Sequence, residues 1–211
     1  MKDDKIVVKD WHRAAGRAIV EAIHGRLGPR HTVSVGGESG SGKSEIATAL
    51  AEALEAEGLA TGILQADDYF IYMSRECDAL RRKCLDLVGP REVKLDYLDS
   101  HLRAFERGAE DIYKPLAVYQ EARFEHEVMP LAGLRVLIAE GTYCTLLEFA
   151  DTKVFIDRDY RDTLADRAAR GRDVMDEFAE KILAIEHGTV CEHKAMADIV
   201  VHADGTIEMP A

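Results

Sequence analysis

Gly37-Glu38-Ser39-Gly40-Ser41-Gly42-Lys43-Ser44 fits the pattern G-x-x-x-x-G-K-[ST]. Just upstream, His31-Thr32-Val33-Ser34-Val35 reads as a short buried strand. Just downstream, Ser44 to Glu57 carries Ile46, Ala47, Leu50, Ala51 and Leu54 at helical spacing, and Gly58 follows. A strand, a glycine loop and a helix in this order are the context the pattern needs. The glycines let the backbone turn tightly and aim N–H groups at phosphate oxygens, and the helix adds the positive end of its dipole. Gly37, Glu38, Ser39, Gly40, Ser41, Gly42, Lys43 and Ser44 are therefore the expected triphosphate cradle of ATP. Lys43 is expected to reach the β- and γ-phosphates, and the Ser44 hydroxyl to sit on Mg²⁺.

Outward from the loop, helical and strand periods alternate. Helices are expected over Asp10–Leu27, Ser74–Leu85, Asp96–Arg107, Tyr160–Ala169 and Val174–Met196. Strands are expected over Thr61–Ala66, Leu134–Ala139, Lys153–Ile156 and Ile199–Val201, with a small hairpin near Val118–Met129. Several strands are apolar on both faces. The pattern predicts an α/β fold of the P-loop NTPase type, a three-layer sandwich with a mostly parallel sheet and helices on both faces. The whole chain, 1–211, reads as one domain, with a substrate-region insert at about 86–130 and an arginine-bearing lid at about 160–173.

Ligands of open α/β sheets sit beyond the carboxyl ends of the strands. Asp67, Glu140 and Asp157 fall there. Phosphoryl transfer needs one carboxylate to orient or deprotonate the attacking hydroxyl and another to hold magnesium or its waters. Asp67 is assigned the first role, close enough to the metal to serve it too, and Glu140 the second. Asp68 is read as a bystander and Asp157 as a structural helix cap. Arg167, Arg170 and Arg172 can spread charge over phosphate oxygens from the lid, with Gly171 as its hinge. Tyr69, Tyr119 and Arg123 are candidate acceptor contacts alongside Asp67. The eight histidines, His187 among them, are read as surface or structural residues.

The charge balance is 27 basic against 39 acidic residues, a net −12. That disfavours a nucleic-acid surface, which needs a basic stripe. No apolar run approaches the roughly 20 residues of a membrane span. Cys77, Cys84, Cys144 and Cys191 are scattered, which suits free thiols in a cytoplasmic protein.

These residues together resemble the uridine kinase/phosphoribulokinase family of P-loop kinases, over roughly residues 31 to 201. Asp67-Asp68-Tyr69-Phe70 resembles the family's aspartate–aromatic motif, whose first aspartate is the catalytic base. Lys114-Pro115 with Tyr119 and Arg123 resembles its proline–tyrosine–arginine stretch. Ala139-Glu140-Gly141-Thr142, Arg170-Gly171-Arg172-Asp173 and Ala197-Asp198-Ile199-Val200-Val201 resemble its strand-end glutamate, lid end and last strand. The resemblance implies a kinase acting on a small-molecule hydroxyl with ATP and Mg²⁺, in a family that often forms homo-oligomers. The departures concern the acceptor. Where uridine kinases carry Asp-His-Pro, this chain has Val88-Gly89-Pro90, and Tyr119 to Arg123 holds no histidine. A nucleoside, a sugar, a sugar phosphate and a vitamin precursor all stay open as acceptors. The competing classes are an NTP-hydrolysing switch and a regulatory nucleotide-binding protein.

Overall fold

A computed structural model describes residues 6–164, 167 and 176–210. Its main sheet has six strands: β1 (His31–Gly37), β2 (Thr61–Gln65), β5 (Val136–Glu140), β6 (Thr152–Asp157), β7 (Ile199–His202) and β8 (Ile207–Glu208). They lie in the order β2-β5-β1-β6-β7-β8, all parallel except the edge strand β8. The edge strand has only two residues, turned back through Asp204-Gly205, too short to leave a periodic signature in the sequence.

Strict alternation along the central strands divides the core in two. Val33, Val35, Val136, Ile138, Val154, Ile156, Ile199 and Val201 face one layer. There they meet α1 (Asp10–Ile23) and α2 (Lys43–Ala56) through Ile19, Ile23, Ile46, Leu50 and Leu54. Leu137, Ala139, Phe155 and Val200 face the other layer, where Leu98, Leu102 and Phe105 of α4 (Leu95–Glu106) cover them. The three-layer sandwich thus follows from strands that are apolar on both faces. Helices α1 and α2 cross so tightly that a Cβ on Gly16 would stand 2.7 Å from the Ala49 carbonyl oxygen.

Helix α3 (Ser74–Lys83) and helix α5 (Glu177–Val190) complete the regular elements described. Several boundaries differ from the sequence expectation, most of all in α1, α5 and the hairpin. Helix α1 stops at Ile23 and tightens into a 3₁₀ turn over His24–Arg26. Helix α5 begins after Asp176, whose side chain accepts from the Ala179 N–H over 2.8 Å, and gives way to a 3₁₀ turn at Cys191. The hairpin is larger than expected. Strand β3 (Asp111–Val118) pairs antiparallel with β4 (Arg123–Pro130) around a turn at Tyr119–Ala122, so Val118 ends its first strand instead of opening it.

Candidate active site

The sheet register brings the site together before any side chain is considered. Val35 and Gln65 both stand level with Glu140, and Gly37 stands level with Ile156. The carboxyl ends of β1, β2 and β5 therefore open onto one cleft. Gly42 takes φ 102° as the residue before α2, a left-handed conformation that favours glycine. One strand position earlier, a Cβ on Gly36 would fall 2.0 Å from Thr145 Oγ1, so only glycine fits beneath the loop.

The Lys43 ammonium curls back and donates to the Glu38 carbonyl over 2.8 Å. The Ser44 hydroxyl donates to Glu140 Oε1 over 3.1 Å. Glu140 is buried, and burial pushes its carboxyl up to about 7. The Asp67 carboxylate adds to that rise, while Lys43 and Ser44 oppose it. Asp67 sits half-buried in the 3₁₀ turn Ala66–Tyr69 that follows β2. Tyr119 Oη donates to the Asp67 carbonyl over 3.4 Å, and burial and the Asp67 charge raise its phenol. Lys43, Ser44, Glu140, Asp67 and Tyr119 are thus gathered at one place.

Asp68 faces the other way. Its Oδ2 takes the Lys114 ammonium at 2.9 Å and its Oδ1 the Ala117 N–H at 3.0 Å, which fastens β3 to the end of β2. Beside the loop, Thr163 Oγ1 donates to the Ser39 carbonyl over 3.2 Å. Arg167 is only 3 % exposed and lies against Gly40, where a Cβ would meet its Cγ at 2.6 Å. Its Nη2 donates to the Tyr160 carbonyl over 2.9 Å, and its buried Nε has no hydrogen-bond partner among the described residues. Arg170 and Arg172 lie outside the described residues.

A phosphate cradle, a serine on a strand-end glutamate and an aspartate alongside match what residues 32–206 show against family models, where they fit the phosphoribulokinase/uridine kinase family. The chain belongs to that family. It is 27 % identical over 186 residues to a uridine kinase of Leuconostoc citreum (strain KM20), covering 82 % of this chain and 87 % of that protein. It is 25 % identical over 192 residues to a bifunctional alpha-galactosidase/sucrose kinase of Mediterraneibacter gnavus. That match covers 84 % of this chain but only 20 % of the larger protein. Phosphoribulokinase from Rhodobacter spheroides shares the fold, with a TM-score of 0.61 at 14 % identity over 82 % of this chain and 70 % of that one.

Within this family site, two candidate acceptor contacts are already engaged by other residues. Tyr69 is fully buried, and its hydroxyl hydrogen-bonds His101 Nδ1 at 2.7 Å. Its hydroxyl is therefore already taken and not available to an acceptor. Arg123 is half-exposed at the hairpin turn and ion-paired to Glu121 at 2.7 Å and to Glu125 of its own hairpin. Asp157 caps no helix among the described residues; it pairs with Lys194 at 2.7 Å and with His202 at 3.5 Å.

Other contacts carried no sequence signal. His187 Nδ1 meets Glu38 Oε1 at 2.6 Å, so the Glu38 side chain ties α5 to the phosphate loop. Glu38 Oε2 also accepts from the Tyr160 N–H over 2.9 Å. Arg158 donates to the Ser41 carbonyl over 3.3 Å while its guanidinium lies over Trp11, 5.6 Å from the ring centroid.

Proposed function

We propose that the protein is a kinase that moves the terminal phosphate of ATP onto a hydroxyl of a small metabolite. The observation that carries this reading is the Ser44–Glu140 hydrogen bond at the foot of the phosphate loop, with Asp67 beside it.

The residues fit a magnesium nucleotide. Glu140 and the Ser44 hydroxyl put two oxygens side by side with the Asp67 carboxylate near, more negative charge than Lys43 alone offsets, and Arg167 Nε is buried next to Gly40 without a partner among the described residues. Among the described residues no three His, Cys, Asp or Glu side chains gather into a cage of their own. Ser44 and Glu140, with Asp67 alongside, would therefore hold Mg²⁺ together with phosphate oxygens, as that ion prefers. The ion supplies neutralisation of charge on the transferring group.

The chain's own residues do the rest. Backbone N–H groups of Gly37–Ser44 hold the phosphates. Lys43 exchanges the Glu38 carbonyl for phosphate oxygen. Asp67 accepts the proton of the acceptor hydroxyl, and Tyr119 fixes the turn that carries Asp67. Arg167, joined by Arg170 and Arg172 of a lid over about 160–173, spreads charge and excludes water. Catalysis of this kind is positioning plus charge stabilisation, with no covalent intermediate. Among the described residues no helix is long and apolar enough to cross a membrane. The four cysteines are free, which supports a reducing cytoplasmic setting.

ADP release from Mg-ATP, followed against nucleosides, simple sugars, pentose phosphates, pantothenate and glycerate, tests the reading. An acceptor that raises ADP release well above the acceptor-free rate supports it. Fast release that ignores every acceptor supports the switch instead.

A further inference from the structure

A second group of buried charge lies close enough to the phosphate loop for Lys43 and Glu38 to act on one of its members, Glu186. Arg81 of α3 grips Glu92 with two parallel bonds, Nε to Oε1 at 2.7 Å and Nη2 to Oε2 at 2.9 Å. The same Nη2 reaches Glu186 Oε1 of α5 at 3.3 Å. The three side chains are 18 %, 10 % and 13 % exposed. Each is chained to the active site. Glu186 precedes His187, which holds Glu38 of the phosphate loop. The Glu92 carbonyl accepts from the Ile71 N–H over 2.8 Å, on the segment that leaves Asp67. Tyr143 follows Glu140 by three residues.

The group is unbalanced. One guanidinium serves two carboxylates, and burial raises the Glu186 carboxyl. Tyr143 is 2 % exposed, its hydroxyl has no hydrogen-bond partner among the described residues, and the charges acting on it are Glu186, Glu92 and Arg81. Glu92 Oε2 also accepts from the Gly89 N–H over 3.0 Å and so holds its own turn. Glu186, by contrast, is met by Arg81 only at 3.3 Å and the Tyr143 hydroxyl by nothing among the described residues, more than a bridge tying α3 to α5 would leave unmet. These groups offer lone pairs to hydroxyl donors. They offer nothing to an anion, because Glu92 already occupies the fork of Arg81 and two carboxylates would repel it.

We propose that Glu92, Glu186 and the Tyr143 hydroxyl, with Arg81 holding the carboxylates in place, form the acceptor subsite and select an uncharged polyhydroxy compound over one bearing phosphate or carboxylate. The inference rests on the kinase reading above and narrows its acceptor. Arg81 is a positioning residue; the other three touch the acceptor.

The test is calorimetric titration of the full chain saturated with Mg²⁺ and the non-hydrolysable analogue AMP-PNP. Ligands come in matched pairs: D-fructose and fructose 6-phosphate, D-ribulose and ribulose 5-phosphate, glycerol and D-glycerate, uridine and uridine 5′-monophosphate. The expected result is that a neutral member binds and its anionic partner binds at least about 100-fold more weakly. Glu186→Gln should cut that preference by about tenfold or more, the scale of one charge-assisted hydrogen bond. Tyr143→Phe should weaken the neutral ligand, and AMP-PNP binding should stay at the wild-type level in both variants. An anionic member binding as well as or better than its partner overturns the inference, as does a panel in which no neutral member binds. A preference unchanged in both variants overturns the residue assignment. Failure of AMP-PNP itself to bind the wild type is a different outcome, for it removes the kinase reading and the inference with it.

Discussion

Ser44 and Glu140, 96 residues apart in the chain, meet through a single hydrogen bond of 3.1 Å from hydroxyl to carboxylate. The bond joins the first turn of α2 to the last residue of β5. It places a carboxyl whose burial and Asp67 neighbour push it up to about 7 directly beneath the phosphate loop. Such a carboxyl is short of positive charge. Glu140→Gln keeps the shape and removes that demand. The expected outcome is a kcat lowered by ~10²-fold, the usual scale for losing one charge-stabilising group, with a higher Mg²⁺ concentration needed for half-maximal turnover. A Mg²⁺ titration of ADP release checks it, and an unchanged Mg²⁺ dependence would count against Glu140 as a cation ligand.

Asp67 and Asp68 are neighbours with opposite tasks. Asp67 is half-buried in the cleft, whereas Asp68 is 2 % exposed and bound to Lys114 and the Ala117 N–H. Asp67→Asn should cut kcat by ~10²-fold or more with little change in stability. Asp68→Asn should lose about 1 to 3 kcal/mol of stability, because it removes one of two carboxylates from the buried Lys114 ammonium and leaves Glu127, at 2.9 Å, as the other. Urea unfolding alongside steady-state kinetics separates the two, and similar effects from both substitutions would contradict the division.

His101 gives the fold a pH dependence. Burial first, and Lys114 second, lower its imidazole from 6.5 to about 4, so in the folded chain it is neutral and accepts from Tyr69 on Nδ1. A group whose folded value is depressed contributes fully above its unfolded value of 6.5. That contribution is lost as pH falls from there towards 4, by about 2 to 3 kcal/mol at pH 4.5. Unfolding free energies at pH 7 and pH 4.5 should differ more for the wild type than for His101→Gln. Equal differences would mean that His101 is not held neutral.

Gly36 is fixed by contact with its neighbour. A Cβ there would stand 2.0 Å from Thr145 Oγ1 and 3.1 Å from the Thr145 backbone nitrogen. Gly36→Ala should destabilise the chain by about 1 to 3 kcal/mol, and adding Thr145→Ala should recover part of that loss. Thermal denaturation of the single and double variants tests it; a double variant no more stable than Gly36→Ala would contradict it.

The sequence was informative where function is local in the chain. The phosphate loop needs only adjacent residues, and Asp67 and Glu140 announce themselves by ending apolar strands at the face where ligands bind. The chain runs out of such signals where partners are distant. Tyr69 could be core or pocket until His101, 32 residues on, took its hydroxyl. His187 and Glu38 are 149 residues apart, and no period links them. The hairpin was placed late because Lys114-Pro115 interrupts β3, and proline inside a run argues against a strand unless it lies at an edge. In a two-stranded ribbon both strands are edges, and β3 tolerates it. Asp157 ends β6 as Glu140 ends β5, yet it is engaged by Lys194 and His202.

The most direct test of the kinase reading follows the label itself. The protein is incubated with Mg²⁺ and ATP labelled in the γ-phosphate, with and without the acceptor that most raises ADP release, and the products are separated. Label is expected to leave ATP for the acceptor, far faster than for water, and Asp67→Asn to slow this transfer by ~10²-fold or more while ATP still binds. Label appearing only as inorganic phosphate, at a rate indifferent to the acceptor and to Asp67→Asn, would contradict it.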